Sequence, residues 1–320
     1  MSLHGFEVRR GETVSTNIQR RGIAWFVFLA VGLSWSLWGA VWLCGLTLGT
    51  TAGKLLVGLG MWGPGLSALA VTRFVLREDW RTTTLNRLGR KRYYAWAWLL
   101  PAAGTLIAAL LTVAFGVAAF DPEFQKFKEL VSKTGPAPPI PLGAIVLIQS
   151  LVGVFLAPVI NAPFAVGEEI GWRGFLLPRL LQAGVRQWPA LVMSGLIWGL
   201  WHAPVIVQGH NYPDHPLLGV ALMTGFTILL GIILGWLQLA SGSVWVPTVA
   251  HGAGNGIAGL PMLILTPHDS AIGGMLTSLI GWIPLAGFIV WLAWSGRLPL
   301  RIAGEAATEY TTSLPQPPVT

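Results

Sequence analysis

The stretch IAWFVFLAVGLSWSLWGAVWLCGLTL, residues 23–48, decides the fold. It carries no charged side chain, and it exceeds the about 20 apolar residues with which a helix crosses a hydrocarbon core of roughly 30 Å. The polar lead-in to Arg21 and the length of the run do not match a secretory signal, whose apolar region spans about 7–15 residues. The stretch therefore predicts a transmembrane helix.

Seven further segments of the chain have the same apolar character. Hydrophobic residues make up 53% of the 320 residues and charged residues only 10%, whereas soluble domains carry about a quarter charged residues. Composition and segments together predict an all-α polytopic membrane bundle of about eight transmembrane helices. The predicted spans are residues 23–48, 55–76, 93–120, 140–166, 188–207, 217–240, 244–265 and 272–294.

The basic residues indicate how this bundle lies in the membrane. Nearly all of the 20 Lys and Arg residues fall on one side when the spans alternate; the exceptions are Lys54, Lys126, Lys128 and Lys133. Because basic residues concentrate on the cytoplasmic side, both termini are predicted to be cytoplasmic. The net charge of +7 indicates contact with anionic lipid headgroups rather than nucleic acid. We expect a plasma-membrane protein with membrane lipids as partners, and the oligomeric state is left open.

This topology divides the chain into four parts. They are a cytoplasmic segment 1–22, three transmembrane helices with an outer loop at 23–139, a C-terminal transmembrane core at 140–295, and a disordered cytoplasmic tail at 296–320. The outer loop ends in a Pro-rich stretch, residues 136–141, typical of a polyproline spacer. Two glycine pairs, Gly195 with Gly199 and Gly231 with Gly235, predict close helix packing.

Ionisable side chains are costly inside apolar helices, so those present are candidates for function. The first cluster is Glu168-Glu169-Ile170-Gly171-Trp172-Arg173, which extends the fourth segment. Glu169 and Arg173 are one turn apart in the favourable order for an ion pair. Glu168 points about 100° away and has no local partner, so it is the better candidate for a general base. The alternative is a solvated helix end just past the membrane.

Two more polar clusters follow in the fifth and seventh segments. His202 lies in Trp198-Gly199-Leu200-Trp201-His202, while His251 and Asn255 share one helix face at a spacing of four. Each of these residues alone is more often a packed, hydrogen-bonded side chain than a catalyst. Glu168 and His202 are equally distant from the polar connection between their segments, and an antiparallel hairpin would therefore bring them to matching depth.

The three clusters together supply a carboxylate, two imidazoles and a carboxamide. This set suits activation of water with stabilisation of an oxyanion. It suits equally a divalent metal such as zinc, held by Glu168, His202 and His251; the spacing does not choose between a metal and no cofactor. The helical H-E-x-x-H zinc motif is absent, and no Asp in the apolar segments could form an aspartyl dyad.

In this order the clusters resemble the motifs of the CPBP intramembrane protease family, the CAAX-processing and bacteriocin-processing enzymes, also called the Abi family. Its motifs are E-E-x-x-x-R, F-x-x-x-H and H-x-x-x-N. The chain departs from them at Trp198, which stands where the family usually has Phe. The resemblance implies an intramembrane endopeptidase, either glutamate-type or a metalloprotease, related to the type II CAAX prenyl endopeptidase.

The resemblance also implies roles for six residues. Two would activate the attacking water, Glu168 and His202; two would stabilise the oxyanion, His251 and Asn255; and two would support the site, Glu169 and Arg173. The substrate would be a peptide or protein, prenylated at its C-terminus in eukaryotic relatives, and the site would open to the cytoplasm. Two other classes stay open: a transporter or proton-coupled channel, and a catalytically idle membrane scaffold or immunity factor.

Overall fold

The computed structural model describes residues 4–132 and 139–300, and within them the architecture is all-α apart from one isolated bridge between Phe120 and Leu265. The predicted tail lies outside the described residues from 301 onward, as does the first half of the Pro-rich stretch, residues 136–138. The helices are α1 His4–Leu43, α2 Thr51–Gly60, α3 Gly63–Ala70, α4 Arg92–Ala114, α5 Gln125–Ser132, α6 Leu142–Phe155, α7 Ala157–Ile160, α8 Ala162–Glu169, α9 Leu177–Gln182, α10 Gln187–Trp201, α11 Ala203–Val207, α12 Pro216–Ser241, α13 Trp245–Ile257, α14 Pro261–Ile264 and α15 Trp282–Trp294.

Among the residues that the structure describes, four stretches of helix are long and apolar enough to cross a membrane. They are Thr16–Leu43, Thr51–Val75, Arg92–Ala114 and Pro216–Ser241, and they coincide with the first, second, third and sixth predicted spans. The predicted all-helical fold is therefore confirmed. The number of eight spans and the cytoplasmic position of both termini stay predictions.

The other four predicted spans contain no helical stretch of that length within the described residues, and proline is the main reason. The fourth is divided into α6, α7 and α8, with Pro158 and Pro163 in the first turns of α7 and α8. The fifth is divided at His202, with Pro204 in the first turn of α11, and Pro261 begins α14 in the seventh. Proline has no amide hydrogen for the preceding turn but fits the start of a new helix. In the eighth, only Trp282–Trp294 is helical.

Glycines let the helices around the polar clusters pack backbone to backbone. A Cβ added at Gly195 would lie 2.6 Å from Cα of Ile228, and one at Gly199 would lie 2.5 Å from Cα of Thr224. Thr227 Oγ1 also donates a hydrogen bond to the Gly195 carbonyl at 3.0 Å. The predicted close packing at this glycine pair is confirmed, and it fixes α10 against α12.

The helices that carry the other two clusters are held by the same kind of contact. A Cβ at Gly65 of α3 would lie 2.5 Å from the carbonyl oxygen of Gly167, and one at Gly252 of α13 would lie 2.9 Å from that of Pro158. The Asn161 amide donates to the Gly252 carbonyl at 3.1 Å. Helix α8 is thereby enclosed between α3 and α13, so the two glutamates at its end are buried.

Candidate active site

Glu169 is the acceptor at the centre of the buried polar cluster. Its Oε1 accepts a hydrogen bond from Arg173 Nη1 at 2.8 Å and another from His251 Nδ1 at 2.8 Å, and the Glu169 side chain is 0% exposed. Arg173 lies in a π-helical turn, Ile170–Leu176, that directly follows α8. The ion pair with Arg173 has the predicted spacing of four residues along the chain. The hydrogen bond from His251 joins Glu169 to a different helix, α13.

Glu168 has different surroundings although it is the adjacent residue. Its Oε2 accepts a hydrogen bond from the indole Nε1 of Trp198 at 2.7 Å, and the residue is 2% exposed. No ion pair to its carboxylate is found within the described residues. Glu168 therefore presents a carboxylate that is hydrogen-bonded on one oxygen but not neutralised by a contacting cation.

His202 stands at the break between α10 and α11. Its Nδ1 lies 2.8 Å from the backbone oxygen of Trp198. A carbonyl oxygen can only accept, so Nδ1 carries the hydrogen, and the neutral ring keeps Nε2 as an acceptor. The ring packs edge-on against Trp201, with centroids 4.7 Å apart, and it is half-buried.

His251 and Asn255 lie one turn apart on α13. His251 is buried, and its ring meets Trp198 edge-on with centroids 5.4 Å apart. Because its Nδ1 bonds a carboxylate, which can only accept when ionised, Nδ1 carries a hydrogen here as well. Asn255 is exposed, and it is the outermost of the predicted site residues.

One cavity of about 410 Å³ collects the predicted groups. Glu168, His202, His251 and Asn255 all line it, together with Trp198. The Glu169–Arg173 pair is not in its wall and lies behind it. Most of the remaining lining is apolar and comes largely from α4, α12 and α15, and it also includes the polar residues His210, Asn211 and Thr277.

The residues predicted as metal ligands, Glu168, His202 and His251, do not form a metal-binding group. Over residues 4–132 and 139–300, no three His, Cys, Asp or Glu side chains are grouped so that they could hold an ion. Both histidines already use Nδ1 in hydrogen bonds, and an indole N–H takes Oε2 of Glu168. The hydrogen bonds themselves do not exclude a metal, because a metal-bound histidine usually donates its other ring N–H to a carbonyl or carboxylate in the same way.

The sequence predictions did not place Trp198 or Asn161 in the site, nor two further polar residues that line the cavity, His210 and Asn211. Trp198 was considered only as a departure from the family motif, yet it contacts Glu168 through its side chain and His202 through its backbone. Asn161 was not singled out, although it anchors α13. A signal was available for Trp198, because a buried indole N–H needs an acceptor; Asn161 offered none beyond its polarity.

The cavity of this all-helical bundle is lined by one carboxylate, three imidazoles and two carboxamides, those of Glu168, His202, His210, His251, Asn211 and Asn255. Residues 143–257 match the family model described as type II CAAX prenyl endopeptidase Rce1-like. All six predicted site residues lie inside this match. It confirms the resemblance to the CPBP family, in its CAAX-processing branch, that the three motifs indicated.

A curated relative supports the same resemblance. The chain is similar to CAAX prenyl protease 2 of Methanococcus maripaludis, with 26% identity over 146 residues. The aligned part covers 44% of this chain and 46% of the relative, so the chain spans about half the length of the curated relative that it matches.

Proposed function

We propose that this protein is an intramembrane endopeptidase of the CAAX-processing type. The observation that carries the proposal is the joint lining of one cavity by Glu168, His202, His251 and Asn255, inside the segment that matches the Rce1-like family model. The buried pair of Glu169 and Arg173 supports this wall from behind. The substrate is a peptide or protein whose scissile bond enters the cavity.

Glu168 and His202 activate the water in this proposal. Trp198 occupies Oε2 of Glu168, which leaves Oε1 for a water that also hydrogen-bonds to Nε2 of His202. As the water oxygen attacks the carbonyl carbon, its proton passes to Glu168. The same proton moves to the amide nitrogen when the C–N bond breaks, so the products are a carboxylic acid and an amine.

His251 and Asn255 stabilise the oxyanion. Nδ1 of His251 already donates to Glu169, so Nε2 can donate to the oxyanion only when the ring is an imidazolium. The carboxylate of Glu169 stabilises that form, as the carboxylate of a catalytic triad does for its histidine. The amide of Asn255 supplies a second donor from the cavity rim.

The composition of the cavity wall suggests the substrate class. The apolar residues that form most of the cavity lining suit an aliphatic group near the scissile bond, and we propose a prenylated C-terminal segment as the substrate. The positive-inside charge distribution supports a multi-pass protein of the cell membrane whose site faces the cytoplasm.

A cleavage assay in proteoliposomes tests the proposal. Peptides that end in a CAAX sequence, with and without a farnesyl group on the cysteine, are incubated with wild type and with Glu168→Gln, and the products are identified by mass spectrometry. We expect wild type to cleave the farnesylated peptide and Glu168→Gln to lose activity about 10²–10⁴-fold. Equal cleavage by both proteins would refute the assignment of the base.

Two further arms of the assay define the chemistry. Activity that persists in a chelator supports the water mechanism without metal, whereas loss that zinc restores would identify a metalloprotease. Cleavage of the farnesylated and unfarnesylated peptides at equal rates would refute the prenylated substrate, but the assignment as an endopeptidase would stand.

A further inference from the structure

We propose that Trp198 is a positioning residue of this site, which sets the orientation of both Glu168 and His202; the inference rests on the proposed function. Its indole N–H donates to Glu168 Oε2 at 2.7 Å. Its backbone oxygen accepts from His202 Nδ1 at 2.8 Å. One residue thus contacts both members of the pair that activates the water.

The indole contact determines which oxygen of Glu168 is free. An indole has a single N–H donor, and a hydrogen bond to a carboxylate is short and about twice as strong as a neutral one. With Oε2 held, rotation of the carboxylate is restricted, and Oε1 remains for the water. Phenylalanine at this position keeps the aromatic face but cannot hold the carboxylate.

The ring of Trp198 is itself held in place by the polar groups behind it. The guanidinium carbon of Arg173 lies 4.2 Å from the ring centroid, within the range of a cation–π contact. Arg173 is in turn bound to Glu169 at 2.8 Å, and the His251 ring packs edge-on against the indole. The buried ion pair therefore reaches Glu168 through Trp198.

The backbone contact explains how one residue orients the histidine as well. Because the Trp198 carbonyl accepts from Nδ1, the tautomer of neutral His202 keeps its lone pair on Nε2. This contact uses the main chain, so a Trp198→Phe substitution leaves it intact. Trp198→Phe therefore tests the loss of the indole N–H without the loss of the backbone contact to His202.

Trp198→Phe is the test, and Trp172→Phe is its matched control. Trp172 is 0% exposed, and its indole nitrogen finds no hydrogen-bond acceptor among the residues that the structure describes. Both exchanges remove the same atoms from a buried site, but only the first removes a bond to Glu168. The readouts are kcat and KM for the peptide that wild type cleaves, and the pH dependence of kcat/KM.

We expect Trp198→Phe to lower kcat about tenfold while KM changes less than twofold, since one charge-assisted hydrogen bond to the base is lost. The acidic limb of the pH profile should move to higher pH by about one unit, because the ionised carboxylate loses a donor. Trp172→Phe should keep the wild-type profile. If both variants give the same kcat and the same limb, the positioning role is wrong.

An NMR measurement keeps this inference separate from the proposed function. The indole ¹H–¹⁵N resonance of Trp198, assigned by its disappearance in Trp198→Phe, should move upfield in Glu168→Ala in detergent micelles. A resonance that does not move would show that the contact is absent and would overturn the inference even in an active protein. A moving resonance in a wild type that cleaves no peptide would instead refute the endopeptidase.

Discussion

The two adjacent glutamates should respond very differently to the same substitution. Glu169 accepts from both Arg173 and His251 through Oε1, whereas Glu168 accepts from the single indole of Trp198. Glutamine keeps the shape of either side chain but removes its charge and one acceptor oxygen. The prediction is that Glu168→Gln folds and barely turns over, while Glu169→Gln loses stability as well.

The magnitudes follow from these contacts. In Glu169→Gln the guanidinium of Arg173, which is 1% exposed, is left as an uncompensated buried charge, a change that costs about 3–5 kcal/mol. In Glu168→Gln the amide oxygen can still accept from Trp198, so the loss should stay near one hydrogen bond, about 0.5–1.5 kcal/mol. The loss of a proton acceptor still lowers turnover about 10²–10⁴-fold.

Thermal unfolding in detergent and peptide cleavage, measured on both variants, separate the two effects. We expect a clear drop in melting temperature for Glu169→Gln and a melting temperature near wild type for Glu168→Gln. If Glu168→Gln retains near-wild-type turnover while Glu169→Gln is folded but inactive, the roles are reversed and the reasoning is refuted.

Three other predictions address the topology, the packing and a loop ion pair. Reporter fusions should read as cytoplasmic after Arg90 and as external near Lys128; a cytoplasmic signal at the latter contradicts the eight-span topology. Gly195→Leu should lower unfolding free energy by about 1–3 kcal/mol, because its Cβ would meet the α12 backbone at 2.6 Å, and an unchanged melting temperature would contradict the packing. Burial alone would raise the pKa of Asp269, but hydrogen bonds from the Ala271 amide and from His215 lower it. The resulting stability is present above about pH 4 and is lost progressively as pH falls through the lowered pKa. Asp269→Asn should therefore lower the melting temperature slightly at pH 7, by less than about 1 kcal/mol at this half-buried pair, and the difference from wild type should shrink as the pH is lowered below about 4.

The membrane-spanning helices could be predicted where the length of an apolar segment alone determines them. Four predicted spans coincide with helical stretches long and apolar enough to cross a membrane, although the second is divided into α2 and α3 around Met61 and Trp62. The interruptions were not predicted, since hydropathy measures the apolar character of proline but not its missing amide hydrogen. Pro158, Pro163 and Pro204 all begin new helices inside apolar segments, and each new helix starts beside a site residue or the helix that carries one.

The site was predictable as a set of residue types, but not as a network. Spacing within one helix was sufficient to pair Glu169 with Arg173. The bonds that join the helices connect residues far apart in the sequence, Trp198 with Glu168 and His251 with Glu169. Which partner each carboxylate meets depends on how α8 packs against α10 and α13, and only the folded structure determines that.

The adjacency of the two glutamates then has a physical explanation. Neighbouring residues of a helix point about 100° apart, so one of them can line the cavity while the other pairs with a cation behind its wall. Glu168 lines the cavity, whereas Glu169 acts on it through the cavity-lining His251, which it contacts directly, and through Arg173 and the ring of Trp198. A charge behind the wall can therefore stabilise the site without competing for the water. For that reason the stability of the fold and the turnover of the site should separate cleanly between these two positions.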